Sequence, residues 1–365
     1  MKTIARKLLP TNLKNTIRSI LESFDAFLLN LLSMPFFLAH PRISNSLYRI
    51  FSTKFDREQQ AVLAGRLAYR ANVGIGYRSS ALLRRNTHRL EKGLSMQPRR
   101  AVFAEDFIIE TVRCYAQCVS AEKVCNQELK WAGDVLNCYF SVVSHTTNIA
   151  DAYQIFSQAS GYCKSSDINK AALSIPYQYQ QINQAQINTD SFTDLCLQRR
   201  AVRWFTQQLV QDSDINRAIE IASLAPSACN RQPFEFFVAN DKTLAPSIAK
   251  YAGGTAGFAD NIPCVIVVVG DLSAYPEERD RHVIYIDGSL AAMQLMLALE
   301  TMGLSSCPIN WPDLDVPEQK MAKRLGLKSY ERPIMLIAVG YAKPDGMIPF
   351  SQKKPANVLR KDIKL

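Results

Sequence analysis

The feature that most constrains this chain is a change of hydropathic pattern near residue 190. Before it, apolar residues recur at helical spacing and no strand pattern of comparable strength appears. After it, short apolar runs bounded by turn residues alternate with helical segments. Between the two lies SIPYQYQQINQAQINTDSFTD, residues 174–194, rich in Gln, Asn, Tyr and Ser and without apolar periodicity. The expected organisation is a mainly helical basic region over 1–173, a linker over 174–193 and an α+β domain over 194–365.

The first part predicts helices over 11–34, 56–72, 79–93, 104–120 and 127–160. On the first of these, Leu13, Ile17, Ile20, Leu21, Phe24, Leu28, Leu31 and Leu32 share one face, with Lys14 and Arg18 on the polar side. Such a helix either packs on its own domain or lies on an anionic membrane surface. Charge adds a second asymmetry. Residues 1–100 hold 18 Lys/Arg against 5 Asp/Glu, a balance of +13, and the remaining 25 and 28 leave −3. An anionic partner is therefore expected at the first quarter of the chain. Arg78, Arg84, Arg85, Arg89, Lys92, Arg99 and Arg100 make a dense basic run around His88. It reads either as a phosphate-binding surface or as a solvated helix face paired to Glu91 and other acids. Nucleic acid is disfavoured, because no recognised motif or interleaved aromatic platform accompanies the arginines. Gly74-Ile75-Gly76 opens like a dinucleotide fingerprint, but Ser79 stands at the third glycine position and no strand precedes it, so it is set aside.

Nine cysteines, an odd number without a CxxC pair, argue against a secreted disulfide framework and for a reducing cytoplasm. Cys114, Cys118 and Cys125 fall at helical spacing, but no His lies close in sequence, and no metal is expected. No segment reaches the length of a spanning helix, since Asn30, Ser33 and Pro35 interrupt the most apolar stretch, Phe27–Ala39. Lys2, Arg6 and Lys7 are too far from that stretch to form an export signal with it.

The second part predicts strands over Phe234–Ala239, Cys264–Gly270 and Ile334–Tyr341. Helices are expected over Asp214–Leu224, capped by Ser213 or Asp212, over Ile286–Met302 ending at Gly303, and over Pro317–Leu325. Three segments carry the chemistry. QRRAVRWF (198–205) offers three guanidinium groups, suited to bidentate phosphate binding. APSACNRQPF (225–234) is a helix-to-strand loop with Ser, Asn and Gln as donors and acceptors. PFSQKKP (349–355) is a basic cluster after the last strand.

RRAVRWF, then APSACNRQPFEF, then a basic cluster after VGYAKP resembles the nitroreductase superfamily of FMN-dependent oxidoreductases over roughly residues 194–362. GLSSCPIN and the apolar helix before it also fit. The resemblance implies a nitroreductase-like central β-sheet flanked by helices, and a homodimer with two FMN sites at the subunit interface. It implies that Arg199, Arg203 and the neighbouring Arg200 hold the FMN phosphate, with Lys353 reaching it from the C-terminal segment. Pro226, Ser227 and Ala228 would pass along the flavin edge, Asn230 and Gln232 would fix ring or ribityl chain, Pro308 and Ile309 would back the ring, and Asn310 would lie near N5. The implied activity is hydride transfer from NAD(P)H through flavin to an organic acceptor. The alternative is a non-catalytic flavin-binding scaffold docked on a membrane or polyanion through the basic half. Two positions depart from the family: Ala201 stands where Ser is common, and Trp311-Pro312 where a small residue is familiar. The first loses a hydroxyl contact, and the second would crowd the nicotinamide face.

Overall fold

A computed structural model describes residues 10–72, 78–121, 124–160 and 173–363. Gly74-Ile75-Gly76, Lys2, Arg6, Lys7 and Cys163 lie outside them. The chain separates into two compact units, Met1–Gln60 and Ala61–Leu365.

In the first unit, α1 (Thr11–Leu32), α2 (Pro35–Ala39) and α3 (Pro41–Phe51) are helical. Pro35 and Pro41 each open a helix, where a missing N–H costs nothing. The rings of Phe24 and Phe51 meet edge to face with centroids 5.6 Å apart, joining α1 to α3. Leu28 is buried, but Leu13, Ile17, Ile20 and Phe24 stay exposed, Ile20 at 62%. α4 (Asp56–Asn72) crosses from the first unit into the second.

The second unit opens with a helical cluster. α5 (Ala81–Leu94) starts at Ser80, whose hydroxyl accepts from the Leu83 amide at 3.1 Å. α6 (Ile108–Ser120) follows. The helix expected over 127–160 is two, α7 (Asn126–Val142) and α8 (Thr147–Ser160). The break falls where Val143 is extended and the Ser144 amide bonds the Ala101 carbonyl. Cys114 and Cys118 are buried in this cluster's core with Leu83, Leu136 and Tyr139, whereas Cys125 is exposed.

The segment expected as a linker lies inside this second unit, and α9 (Thr189–Gln198) forms at its end, capped by the Asn188 side chain. α10 (Asp212–Ala222) begins at Asp212, so neither Ser213 nor Asp212 is its N-cap; Gln211 is, without a side-chain bond. There follow β1 (Phe234–Ala239), α11 (Leu244–Ala249), β2 (Cys264–Asp271), α12 (Val283–Thr301), β3 (Ser305–Asn310), α13 (Asp315–Leu325), β4 (Glu331–Gly340) and α14 (Ala356–Leu359). The four strands form one antiparallel sheet in the order β1-β2-β4-β3. The architecture is α+β, with helices on both sides of the sheet. Val265, Val267, Leu336 and Ala338 face one core with α11, and Ile266, Val268 and Ile337 face the other with α10 and α12. That alternation explains why β2 and β4 read as continuous apolar runs.

α12 is apolar on nearly every side and long enough to cross a membrane, yet half of it is buried, as in a core helix. Gly303 ends it at φ +74°, a conformation that favours glycine. Two prolines sit where a sheet tolerates them. Pro308 is on the edge strand β3, and Pro333 falls at the β-bulge where β4 shifts register against β2.

Candidate functional site

The arginine segment is tied to the top of β3. Ala201 bridges Ser306, and the Val202 amide donates to the Ser306 carbonyl at 3.1 Å. Further on, the Thr206 amide bonds the Tyr341 carbonyl and the Lys343 amide bonds the Trp204 carbonyl, fastening the segment across the end of β4. Arg199 and Arg203 are both close enough to Cys307 to act on its thiol: burial pushes that thiol up, against the pull of the two cations.

This corner fits a phosphate. Arg199 Nε is buried without a hydrogen-bond partner. The Arg203 guanidinium has a 3.4 Å bond to the Ala201 carbonyl and lies 5.8 Å from the Phe258 ring centroid. Neither arginine joins an ion pair among the described residues, whereas Arg84 and Arg332 elsewhere do. Ser306, missed in the sequence, has a fully buried hydroxyl with no partner. It stands in register with Ala201. Arg200 points elsewhere and donates to the Phe350 carbonyl. Lys353 is exposed three residues beyond Phe350, and no described side-chain contact brings it to Arg199 or Arg203. Glu300, at the end of α12, is buried nearby. Gln198 donates to its Oε1 at 3.2 Å, Oε2 has no partner, and burial raises its carboxyl above the ordinary range despite Gln198 and Arg199.

The 226–232 loop is built by its own hydrogen bonds. The Ser227 hydroxyl donates to Asp287 Oδ2 at 2.6 Å, and the Ala228 amide donates to the same oxygen at 2.9 Å. Asp287 is a buried carboxylate on α12, so the sequence could not show its link to a loop 60 residues away. The Gln232 amide returns to the Ser227 hydroxyl at 2.8 Å. Cys229, Asn230 and Gln232 have φ of 54°, 50° and 50°, unusual for residues with side chains; each such residue costs about 1–3 kcal/mol that the surroundings must offset. The Gln232 side chain is taken at both ends, its Nε2 by the Ser223 carbonyl at 2.6 Å and its Oε1 by Arg84 at 2.9 Å. Pro226 and Ala228 are exposed.

The β3 residues divide by strand alternation. Pro308 and Asn310 are exposed, while Ile309 points into the core with Cys307 and Trp311. Pro308 and Ile309 therefore do not share a face on which both could back one ring. Trp311 is turned inward as well. Its indole N–H donates to Glu318 Oε1 at 2.8 Å, and Arg332 pairs with Glu318 at 3.3 Å. The crowding expected from Trp311 is absent from the exposed side of β3.

The basic run resolves into internal pairing at three of its members. Arg84 pairs with Glu128 at 3.0 Å, Arg89 pairs with Asp106 at 3.3 Å over the Phe107 ring, and His88 lies 3.4 Å from Glu91. These side chains form the paired helix face, not an open phosphate surface.

The arginine corner and the 226–232 loop lie apart. β3 and β1 are opposite edges of the sheet, and Ser306 is level with Val339, whereas Phe234 is level with Gly270 and Arg332. Strand spacing and rise then separate the two corners by more than about 20 Å.

The α+β domain thus carries an arginine pair at one sheet corner and a polar loop at the other. Residues 196–254 and 245–341 match the nitroreductase family model. The NADH dehydrogenase of Thermus thermophilus is 27% identical over 41% of this chain and 86% of its own length. Iodotyrosine deiodinase 1 of Pongo abelii is 26% identical over 45% of this chain and 65% of its own. The crystal structure of a nitroreductase family protein from Streptococcus pneumoniae is 28% identical, spans 47% of this chain and all of that one, and superposes with a TM-score of 0.41. The C-terminal part of the chain matches the nitroreductase family, as its motifs indicated.

Proposed function

We propose that this protein is an FMN-dependent oxidoreductase that passes a hydride from NAD(P)H to an organic acceptor. The observation that carries the reading is the arginine corner, where Arg199 has a buried, partnerless Nε and neither it nor Arg203 forms an ion pair among the described residues, although Glu300 lies within electrostatic reach of Arg199. Bound FMN supplies the redox chemistry, and the protein supplies position and charge. Arg199 and Arg203 would hold the FMN phosphate. Across the sheet, Asp287 fixes Ser227 and Ala228 so that the 226–232 loop presents a rigid polar edge. The name of the Thermus relative supports a nicotinamide donor, and the deiodinase name supports an aromatic acceptor.

One chain presents the two halves of the site at opposite corners, which supports a homodimer in which each copy supplies one half of each site. Exposed Ile286, Leu290 and Met293 on α12 give that dimer an apolar face. The described cysteines are all free, in keeping with a reducing cytoplasm. The exposed apolar side chains of α1 support peripheral contact of the first unit with an anionic membrane.

The test is the visible spectrum of the purified protein before and after anaerobic NADH or NADPH. A flavin spectrum that bleaches is expected. A flavin spectrum that persists would favour the non-catalytic scaffold, and no flavin after reconstitution with FMN would overturn the reading.

A further inference from the structure

We propose that Arg84, in the helical region that precedes the family-like domain, is a positioning residue for the candidate cofactor loop. This rests on the flavin reading of that loop. Arg84 uses all three nitrogens of its guanidinium. Nε donates to the Asn230 carbonyl at 2.7 Å, Nη2 to Gln232 Oε1 at 2.9 Å, and Nη1 to Glu128 Oε2 at 3.0 Å. The first two acceptors belong to residues held at positive φ, where the backbone needs outside support.

The support itself is fixed from behind. Glu128 on α7 is almost fully buried, and it also accepts from the Ser80 amide at 2.8 Å and the Ser79 hydroxyl at 2.6 Å. Ser80 caps α5, the helix that carries Arg84. The Arg84 guanidinium lies 5.4 Å from the Trp131 ring centroid, and the Trp131 N–H is held by Glu91 at 2.9 Å. A planar fork anchored on a buried carboxylate thus fixes both the Asn230 carbonyl and the sense of the Gln232 amide. Its Oε1 is committed to Arg84, and its Nε2 faces the Ser223 carbonyl. Lysine cannot reproduce this, since it offers one charged nitrogen where three directed donors are used. The family match begins at residue 196, so the brace comes from a part of the chain outside it.

The experiment compares wild type, Arg84→Lys, Arg84→Met and Arg84→Met/Glu128→Gln, the last so that no buried carboxylate is left unpaired. Arg89→Met on the same helix is the control, since Arg89 pairs with Asp106 and Phe107 and not with the loop. Hydrogen exchange of the apo proteins should show residues 228–234 opening at least tenfold more readily in the three Arg84 variants, with β2 unchanged and Arg89→Met like wild type. Titration with FMN should give a Kd raised about tenfold. At saturating FMN, the visible circular dichroism of the bound flavin should change in the Arg84 variants and not in Arg89→Met. Unchanged exchange over 228–234 in the double variant overturns the proposal whatever FMN does. Increased exchange in a protein whose wild type takes up no FMN leaves the brace standing and overturns the flavin reading instead.

Discussion

Single residues separate into those whose chemistry could be read from type and spacing and those whose neighbours decide it. Arg199 and Arg203 belong to the first group, because a guanidinium four residues from another, ahead of a strand-rich domain, suits phosphate wherever it is placed. Ser306, Asp287 and Glu300 belong to the second. Nothing in their local sequence distinguishes them, and each acquires a role through burial beside a distant segment. Glu300 yields a prediction. Burial raises its carboxyl above the ordinary glutamate value, so the folded chain holds this proton more tightly than the unfolded one. Its contribution to stability is therefore full below the ordinary value and declines as pH rises towards the raised one. Glu300→Gln should remove that decline. The melting temperature of the variant minus that of wild type should be more positive at pH 7 than at pH 4.

At the level of elements, β2 and β4 were legible because apolar residues on both faces leave continuous runs, bounded by turns. β3 was not, because Ser305-Ser306-Cys307-Pro308-Ile309-Asn310 has small and polar residues and a proline. It becomes a strand through pairing with β4 and tolerates Pro308 as an edge. α9 was hidden for another reason: its ten residues leave none buried, so no apolar stripe announces it. The junction of β2 with α12 carries a second prediction. A Cβ at Gly270 would lie 2.8 Å from Ile284 Cβ and 3.1 Å from Ile334 Cδ1. Gly270→Ala should destabilise the protein by about 1–3 kcal/mol in urea denaturation, the usual cost of overpacking a core. Because Asp287 is three residues along the same helix, FMN affinity should fall in parallel.

For the molecule as a whole, the arrangement of strands matters more than their identity. The order β1-β2-β4-β3 sends the arginine segment and the polar loop to opposite corners, and the proposed site therefore needs the proposed dimer. Leu290→Glu places a charge in the exposed apolar face of α12. Sedimentation should show a dimer for wild type and a monomer for the variant, with FMN binding weakened at least tenfold. A variant that stays dimeric and binds FMN normally would remove α12 from the interface. By itself, the sequence determined the helical first part, the α+β second part and the family resemblance, because periodicity and residue chemistry are local properties. Only the tertiary structure decided that Trp311 turns inward to Glu318, that Ile309 leaves the face of Pro308, and that Arg84 reaches the 226–232 loop from 146 residues away. Those outcomes depend on which distant groups share a buried environment, and spacing along a chain does not carry that information.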